Sequence, residues 1–336
     1  MRAPRWLDLP PAGAAVLALA LFGAILAAAG KHPLQAYYDT ATYVLASRQG
    51  FTELFVRMGP LVMTALAVAI PARVGLFNVG GEGQLYMGAL FATGAALYAP
   101  LNGPLLLAAT ILAGFAGGAL WALVPALMRI AGVANEAITT LLLNYVAPLA
   151  VAYQIFGPWR SPESSSYPQS HRIAEAARLP SLPTTRVHAG LAIAAACLAL
   201  CVYVFNRTRW GLEMRAIGAN RLAAAHLGLP VRTYLVVAMA LGGGAAGLAG
   251  MAEVSAIQGR LVSEVSPGYG YMGFLVAWLA AGNVSRIVSM ALLFAVISAV
   301  GDVLQITQRV PYAVVNILMA AILFSVLCVG PGARRR

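Results

Sequence analysis

The sequence predicts an all-α polytopic membrane protein with about ten transmembrane helices, and three observations support that prediction. Hydrophobic residues make up 60% of the 336 residues, charged residues make up 10%, and the mean hydropathy is +0.79. Many apolar runs of roughly 20 residues match the helix length that crosses a hydrocarbon core of roughly 30 Å. These runs are continuous, whereas a transmembrane β-barrel would show alternating segments of about ten residues. We therefore expect a single transmembrane domain over residues 1–336.

The apolar runs predict ten spans in chain order. They are 11–29, 58–74, 84–100, 104–127, 137–156, 188–206, 233–252, 270–282, 286–304 and 312–329. The first run follows two arginines and ends in three alanines, which is typical of a signal peptide, but the many later spans favour an uncleaved helix. Residues 34–57 mix aromatic and charged side chains, so we expect an amphipathic helix lying at the membrane interface.

Arginine sets the predicted orientation, because loops rich in basic residues stay in the cytoplasm. The loop 207–232 carries five arginines, and the chain ends in three more. Both termini are therefore predicted to be cytoplasmic. The segment 157–187, rich in proline and serine, is then an outer loop with a short helix near 172–178. Two interpretations of this loop stay open, a solvated connector or a docking surface for an external partner.

One short pattern occurs twice in the chain. Written with x for any residue, it is Gly-x-x-Tyr-Met-Gly-x-Leu at 83–90 and again at 268–275. The copies open the third and eighth predicted spans, an odd number of helices apart, so they would run in opposite directions. Inverted repeats with substrate at their interface recur in transporters. The alternatives are an inverted repeat and chance similarity in a chain rich in glycine and leucine.

The sequence argues against nucleotide hydrolysis and enzymatic catalysis by this chain. The single lysine, Lys31, follows Gly30, but a phosphate-binding loop would also need a glycine at Ile25 and Ser or Thr at His32. Four scattered histidines predict no metal site, and the spans contain no catalytic serine motif or close carboxylate pair. We expect no enzyme activity and no bound cofactor, so any ATP-driven work must come from another chain. The net charge of +11 comes from loop arginines and does not indicate nucleic acid.

The most informative stretch is the polar, glycine-rich segment 75–84 between the second and third spans. An ionisable residue at membrane depth is a functional candidate, and irregular backbone survives there only where protein or water covers it. A second polar group opens the fifth span, where residues 136, 140 and 144 share one helix face at i, i+4 spacing. The candidate translocation pathway or gate comprises Asn78, Glu82, Gln84, Asn135, Glu136, Thr140 and Asn144. The alternative is that these side chains tie neighbouring helices together.

The cytoplasmic loop 207–232 predicts a short helix of its own. Asn220 suits the N-cap, Gly228 suits the C-terminal end, and Pro230 follows. A solvated linker would not need this order of glycine, asparagine and alanine. We therefore expect a docking helix for a cytoplasmic subunit.

Three stretches resemble the membrane permeases of ABC importers for simple sugars, branched-chain amino acids and nucleosides. They are the segment 75–84, the run Asn-Glu-Ala-Ile-Thr-Thr-Leu-Leu-Leu-Asn-Tyr at 135–145, and a glycine-alanine pattern at 218–228. The resemblance covers residues from about 50 to 330 and is closest to nucleoside and simple-sugar permeases. It implies ATPase-coupling roles for Gly218, Ala219, Asn220, Ala223, Ala224 and Gly228. Leu222 departs from the wider importer pattern, which has an acidic residue there.

The resemblance also implies partners. They are a second permease subunit in a homodimer or heterodimer, cytoplasmic ABC ATPases that use ATP and Mg²⁺, and an extracytoplasmic substrate-binding protein. The expected function is inward transport of a nucleoside or related simple sugar across a bacterial plasma membrane. The alternative from a different class is an ion-coupled secondary transporter or channel, with Glu82 or Glu136 as its ion site.

Overall fold

The computed structural model describes residues 30–162 and 167–309, together with isolated positions between 20 and 27 and Ile317. In this part of the chain the secondary structure is helical, with eleven α-helices and three isolated β-bridges. The helices are α1 (Pro33–Ala41), α2 (Arg48–Ala72), α3 (Gly81–Tyr98), α4 (Gly103–Ile130), α5 (Glu136–Phe156), α6 (Gly190–Arg207), α7 (Arg209–Ala219), α8 (Arg221–His226), α9 (Val231–Ala252), α10 (Tyr269–Leu279) and α11 (Ile287–Gln308).

Six helices in the described residues are long and apolar enough to cross a membrane. They are α2, α4, α5, α6, α9 with the turns that continue it to Gln258, and α11 with the turn before it. These helices make the protein an all-α polytopic membrane protein, as predicted. The predicted spans 11–29 and 312–329 lie outside the described residues, apart from the isolated positions.

Two predicted spans differ from the observed helices. α10 has 11 residues, about 16 Å at 1.5 Å per residue, which is about half of the hydrocarbon thickness. The prediction that 270–282 crosses the membrane alone is therefore wrong. α3 has 18 residues, but its first turn carries Glu82 and Gln84, and most of its side chains are buried in protein. It is an interior helix, because neighbouring helices cover its polar first turn, which lipid could not solvate.

The predicted interfacial helix over 34–57 is also wrong in extent. α1 continues as a π-helical turn over Thr42–Ala46. The helix then ends at Ser47, which has extended backbone angles. The Ser47 hydroxyl accepts a hydrogen bond from the Gly50 N–H at 2.9 Å, so Ser47 caps the start of α2. Residues from Arg48 onward therefore belong to a spanning helix of 25 residues.

The chain divides into two compact units, Met1–Leu54 with Leu293–Arg336, and Phe55–Leu292. The first unit has a small core in which Val44, Leu54 and Ala299 are buried. The second unit is built around α3, which packs against α4, α5, α9 and α10. The predicted polar and coupling residues all lie in this second unit.

Small residues allow α3, α4 and α9 to approach closely. A Cβ atom added at Gly88 of α3 would collide with the backbone of Gly247 in α9, and one at Gly118 of α4 would collide with the backbone of Gly243. Membrane helices associate through such small-residue interfaces. Because lipid tails are as apolar as the side chains, there is no hydrophobic driving force, and close packing of the helices must stabilise the contact. These glycines therefore have a packing role.

The described part of segment 157–187, the predicted outer loop, packs against the turns that follow α9. It contains a 3-10 turn over Glu175–Ala177, which confirms the short helix predicted near 172–178. The Ser255 hydroxyl donates to the Ala177 carbonyl at 2.6 Å and accepts from the Leu179 N–H at 3.0 Å. Such buried bonds argue against a merely solvated connector.

Candidate functional site

The polar segment 75–84 leaves α2 through a turn and reaches α3 as irregular backbone. Gly75 makes the turn with a φ of 73°, a left-handed conformation that glycine adopts without strain. Residues 76–80 belong to no helix or strand, and α3 begins at Gly81. Irregular backbone inside a membrane protein needs hydrogen-bond partners from the protein. The predicted polar residues supply them.

Asn78 and Gln84 form a buried amide pair. Nδ2 of Asn78 donates to Oε1 of Gln84, and Nε2 of Gln84 donates to Oδ1 of Asn78, both at 2.9 Å. Asn78 also donates to the Ala67 carbonyl at 2.9 Å and accepts from the Gly80 N–H at 3.0 Å. The two side chains are 0% and 1% exposed. Because protein groups occupy these donors and acceptors, the pair fixes the segment between α2 and α3.

The predicted stripe on α5 binds the same segment from another side. The Thr140 hydroxyl accepts from the Val79 N–H at 3.2 Å. Asn144 accepts from the Gly83 N–H and donates to the Val79 carbonyl, both at 2.8 Å. The stripe therefore replaces the backbone partners that a continuous helix would have supplied. These contacts support the interpretation that the side chains tie neighbouring helices together. A role for these residues in the translocation pathway stays a prediction.

Glu136 joins the segment to the end of α4. Its Oε1 accepts from the Phe77 N–H at 3.4 Å, and its Oε2 pairs with Nε of Arg129 at 3.1 Å. Asn135 lies apart from the buried polar group. It is exposed and caps α5 by accepting from the Ala137 N–H at 2.8 Å.

Glu82 lies where the N-termini of α3 and α10 meet. Its carboxylate accepts from the Gly270 N–H at 2.7 Å, and the Ser266 hydroxyl is a further hydrogen-bond partner. Ser266 also caps α10 by accepting from the N–H groups of Gly268 and Tyr269 at 3.0 and 2.9 Å. A carboxylate beside helix N-termini is stabilised by the positive ends of both helix dipoles. Glu82 thus joins two helix starts that the sequence separates widely.

The two copies of the repeated pattern leave this junction in opposite directions. α3 ends near the outer loop, where the Tyr98 ring lies 5.7 Å from the Trp159 ring, centroid to centroid. α10 leads toward Arg73, whose Nη2 donates to the Gly282 carbonyl at 3.2 Å. Opposite directions from a shared start are what an inverted repeat requires, so the geometry favours that alternative.

The predicted docking helix exists as α8, directly after α7. Asn220 caps it by accepting from the N–H groups of Leu222 and Ala223 at 3.0 and 3.1 Å. Gly228 follows the helix with a φ of 81°. The local sequence signals therefore place both ends of this helix correctly.

The predicted coupling residues do not all face outward. Ala224 is 2% exposed, and a Cβ added to Gly218 would collide with the Arg73 carbonyl. These two positions support the packing of α7 and α8 on the chain itself. Gly218 is itself exposed, as are Ala219, Asn220, Ala223 and Gly228. Leu222 of α8 and Leu227, directly after the helix, are also 76% and 80% exposed, so α8 and its C-terminal end present apolar side chains.

Arg221 connects α8 to the polar segment. Its Nη2 donates to the Gly75 carbonyl at 2.6 Å and to the Val74 carbonyl at 3.3 Å. Burial and the nearby Arg129 guanidinium lower the pKa of Arg221, while Glu136 opposes that shift. A displacement of α8 would therefore pull directly on the turn that begins the segment 75–84. No sequence pattern singled out this arginine.

The described residues contain no group of three or more His, Cys, Asp or Glu side chains that could hold a metal ion. The buried polar groups instead form one connected arrangement. It runs from α8 through Arg221 to the segment 75–84, then to the α5 stripe and to the α3–α10 junction. This arrangement offers no catalytic chemistry. It consists of hydrogen bonds that link α8, the segment 75–84, α5 and α10.

Comparison with protein families identifies one match over most of the chain. Residues 50–327 match the family described as the branched-chain amino acid transport system permease component. No solved structure matches the chain.

Three of the relatives found are similar over nearly the full length. The glucose ABC transporter permease protein TsgB13 of Haloferax volcanii is 36% identical over 95% of this chain and 87% of its own length. The nucleoside ABC transporter permease protein NupB of Lactococcus lactis is 29% identical over 94% and 89%. The guanosine ABC transporter permease protein NupP of Bacillus subtilis is 28% identical over 95% and 92%.

Proposed function

The chain belongs to the family of branched-chain amino acid transport system permease components, and we propose that it carries a nucleoside or a related simple sugar inward. It is an ABC transporter permease and a multi-pass membrane protein, not an enzyme. The observation that carries the solute proposal is the similarity, along most of the chain, to permeases named for glucose, nucleosides and guanosine. The family name alone would equally allow a branched-chain amino acid.

The chemistry of the interior supports a neutral solute. The buried polar side chains next to the irregular segment are mostly amides and hydroxyls, and the two buried carboxylates beside it, Glu82 and Glu136, already have protein partners. A branched-chain amino acid carries an ammonium and a carboxylate, and each would need a partner of opposite charge at this depth, where burying charges is costly. Sugars and nucleosides need only hydrogen-bond partners, so they match this interior better.

The proposed assembly follows from the subunit's role. A second permease, cytoplasmic ABC ATPases and an extracytoplasmic substrate-binding protein would complete the importer in a bacterial plasma membrane. ATP and Mg²⁺ would be used by the ATPases, because this chain has no phosphate-binding loop. The arginine-rich loop that forms α7 and α8 supports cytoplasmic termini. Ten crossings of the membrane would then consist of the six long helices, α3, α10 together with the irregular segment before it, and the predicted first and last spans.

An ion-coupled transporter or channel is less consistent with the site. Glu82 is bonded to the Gly270 N–H and Glu136 is paired with Arg129, so neither carboxylate is left for an ion. The relatives compared above are ABC permeases by name. Nothing in the site favours ion coupling over ATP coupling.

The contacts suggest how ATP binding could reach the membrane interior. An ATPase docked on α8 would move Arg221, which holds the carbonyls of residues 74 and 75. The segment beyond them is bonded to α5, and it leads into α3 at the Glu82–Gly270 junction. Packed interfaces switch between discrete arrangements and do not deform continuously, so a small shift at α8 can rock α3 against α10.

Arg221→Ala should uncouple transport from the ATPase. Removing a charged hydrogen-bond donor costs about 1.5–3 kcal/mol, so we expect solute uptake to fall about tenfold or more. The ATPase should still copurify with the variant, because the Arg221 guanidinium is bonded to carbonyl groups of this chain. Arg221→Lys should restore part of the uptake. Arg232→Ala, an exposed arginine of the same loop, is the matched control, and equal uptake by the two alanine variants would refute the link.

A competition assay tests the solute class. The complex, purified through a tag on this chain and placed in proteoliposomes, should take up labelled guanosine or glucose. Unlabelled nucleosides or simple sugars should compete, and leucine should not. Competition by leucine, without competition by any nucleoside or sugar, would replace the proposed solute with a branched-chain amino acid.

A further inference from the structure

A polar cleft opens beside Arg73, just beyond the end of α2. Its volume is about 370 Å³, and it is lined by Arg73, Asn206 and residues 281–285. The lining side chains include one guanidinium, two amides and one hydroxyl, and no carboxylate. Backbone groups of the turn between α10 and α11 complete the wall. This lining can donate to an anion from several directions.

The charge around the cleft is positive and unbalanced. The Arg73 guanidinium lies 4.7 Å above the Phe205 ring and donates to the Gly282 carbonyl, but no described carboxylate pairs with it. Burial and the neighbouring Arg215 both lower the pKa of Arg73. Two like charges held together in this way favour an anion nearby.

The position of the cleft indicates which anion would reach it. Its walls come from the ends of α2 and α6 and from the turn after α10. In the proposed orientation all three elements end at the cytoplasmic surface of the membrane. Basic pockets between membrane helices on that side are typical binding sites for anionic lipid headgroups.

We propose that the cleft binds the phosphate of an anionic phospholipid from the inner leaflet. The Arg73 guanidinium would neutralise the phosphate, and the side chains of Asn206, Asn283 and Ser285 would bind its oxygens or the glycerol. The proposal rests on the orientation proposed above but not on the transported solute. Lipid binding here would stabilise the α10–α11 turn close to the Arg73 turn that α7 contacts.

Lipid retention tests the proposal. The purified chain is placed in nanodiscs of phosphatidylcholine, with or without phosphatidylglycerol, and retained lipid is measured by native mass spectrometry alongside the thermal unfolding midpoint. We expect retained phosphatidylglycerol and a higher midpoint when it is present. Ser285→Asp places a negative charge in the cleft without harming the start of α11, where acidic residues are favourable. It should lose both effects.

Ser289→Asp is the matched control, because it adds the same charge one turn later on α11 and does not line the cleft. It should keep both effects, and identical behaviour of the two aspartate variants would overturn the proposal. A midpoint shift produced by inorganic phosphate in phosphatidylcholine alone would overturn the lipid assignment in favour of a soluble anion. Loss of ATPase association in Ser285→Asp, with lipid retention unchanged, would assign the cleft to the partner protein. Uptake activity enters none of these readouts, so the proposed solute is tested separately.

Discussion

Replacing Leu222 and Leu227 together by aspartate should abolish ATPase association and transport. Both side chains are more than three-quarters exposed, Leu222 on α8 and Leu227 directly after its last residue. Burying an exposed leucine in an interface contributes about 1.5–3 kcal/mol. Losing two of them should weaken association by at least about two orders of magnitude. Copurification of the ATPase with the tagged variant measures the effect.

The matched control replaces the same two leucines by methionine, which keeps an apolar surface of similar volume. This variant should retain the ATPase and most of the transport. If the aspartate variant copurified the ATPase as well as the native chain does, α8 would not be the docking surface. Substitutions at Gly218 and Ala224 test ATPase docking less cleanly. Both positions pack against the chain, and a bulky residue there would disturb its own fold.

Gly270→Ala should destabilise the membrane core and abolish transport. A Cβ atom at this position would collide with the backbone of Glu82, and backbone atoms cannot turn aside as a flexible side chain can. Overpacking costs about 1–3 kcal/mol, and loss of the bond to the Glu82 carboxylate adds about 1.5–3 kcal/mol. We expect lower yield of folded protein and a lower thermal unfolding midpoint in detergent.

Gly59→Ala is the matched control for this substitution. Gly59 lies inside α2, and a Cβ atom added there would meet its nearest neighbour at 3.7 Å, an ordinary contact distance. Alanine is the better helix former, so this variant should be as stable as the native chain or slightly more stable. Equal midpoints for the two alanine variants would show that the α3–α10 junction is not tightly packed.

Local signals in the sequence were sufficient where the structure is local. Asn220 and Gly228 predicted the ends of α8, because caps and left-handed glycines act within one helical turn. The i, i+4 spacing of Glu136, Thr140 and Asn144 correctly placed them on one face of α5. Periodicity could not say what that face meets, so the segment 75–84 as their partner came only from the structure.

Contacts between distant parts of the chain could not be predicted from the sequence. Gly270 is 188 positions from Glu82, and Arg221 is 146 positions from Gly75. Only the repeated glycine-tyrosine-methionine pattern pointed to the α3–α10 pair, and it named no bonded atoms. The length of α10 was overestimated because an apolar run of the right composition continues past the turn that ends the helix at Leu279.

Uptake by reconstituted protein tests the central claim most directly. The complex purified through a tag on this chain, with its ATPase and binding protein, is placed in proteoliposomes and compared with the purified chain alone. We predict accumulation of labelled guanosine or glucose only when the complete complex has ATP on the cytoplasmic side, and none for the chain alone under an ion gradient. Solute accumulation by the chain alone, driven by an ion gradient and independent of ATP, would contradict an ATP-driven permease subunit.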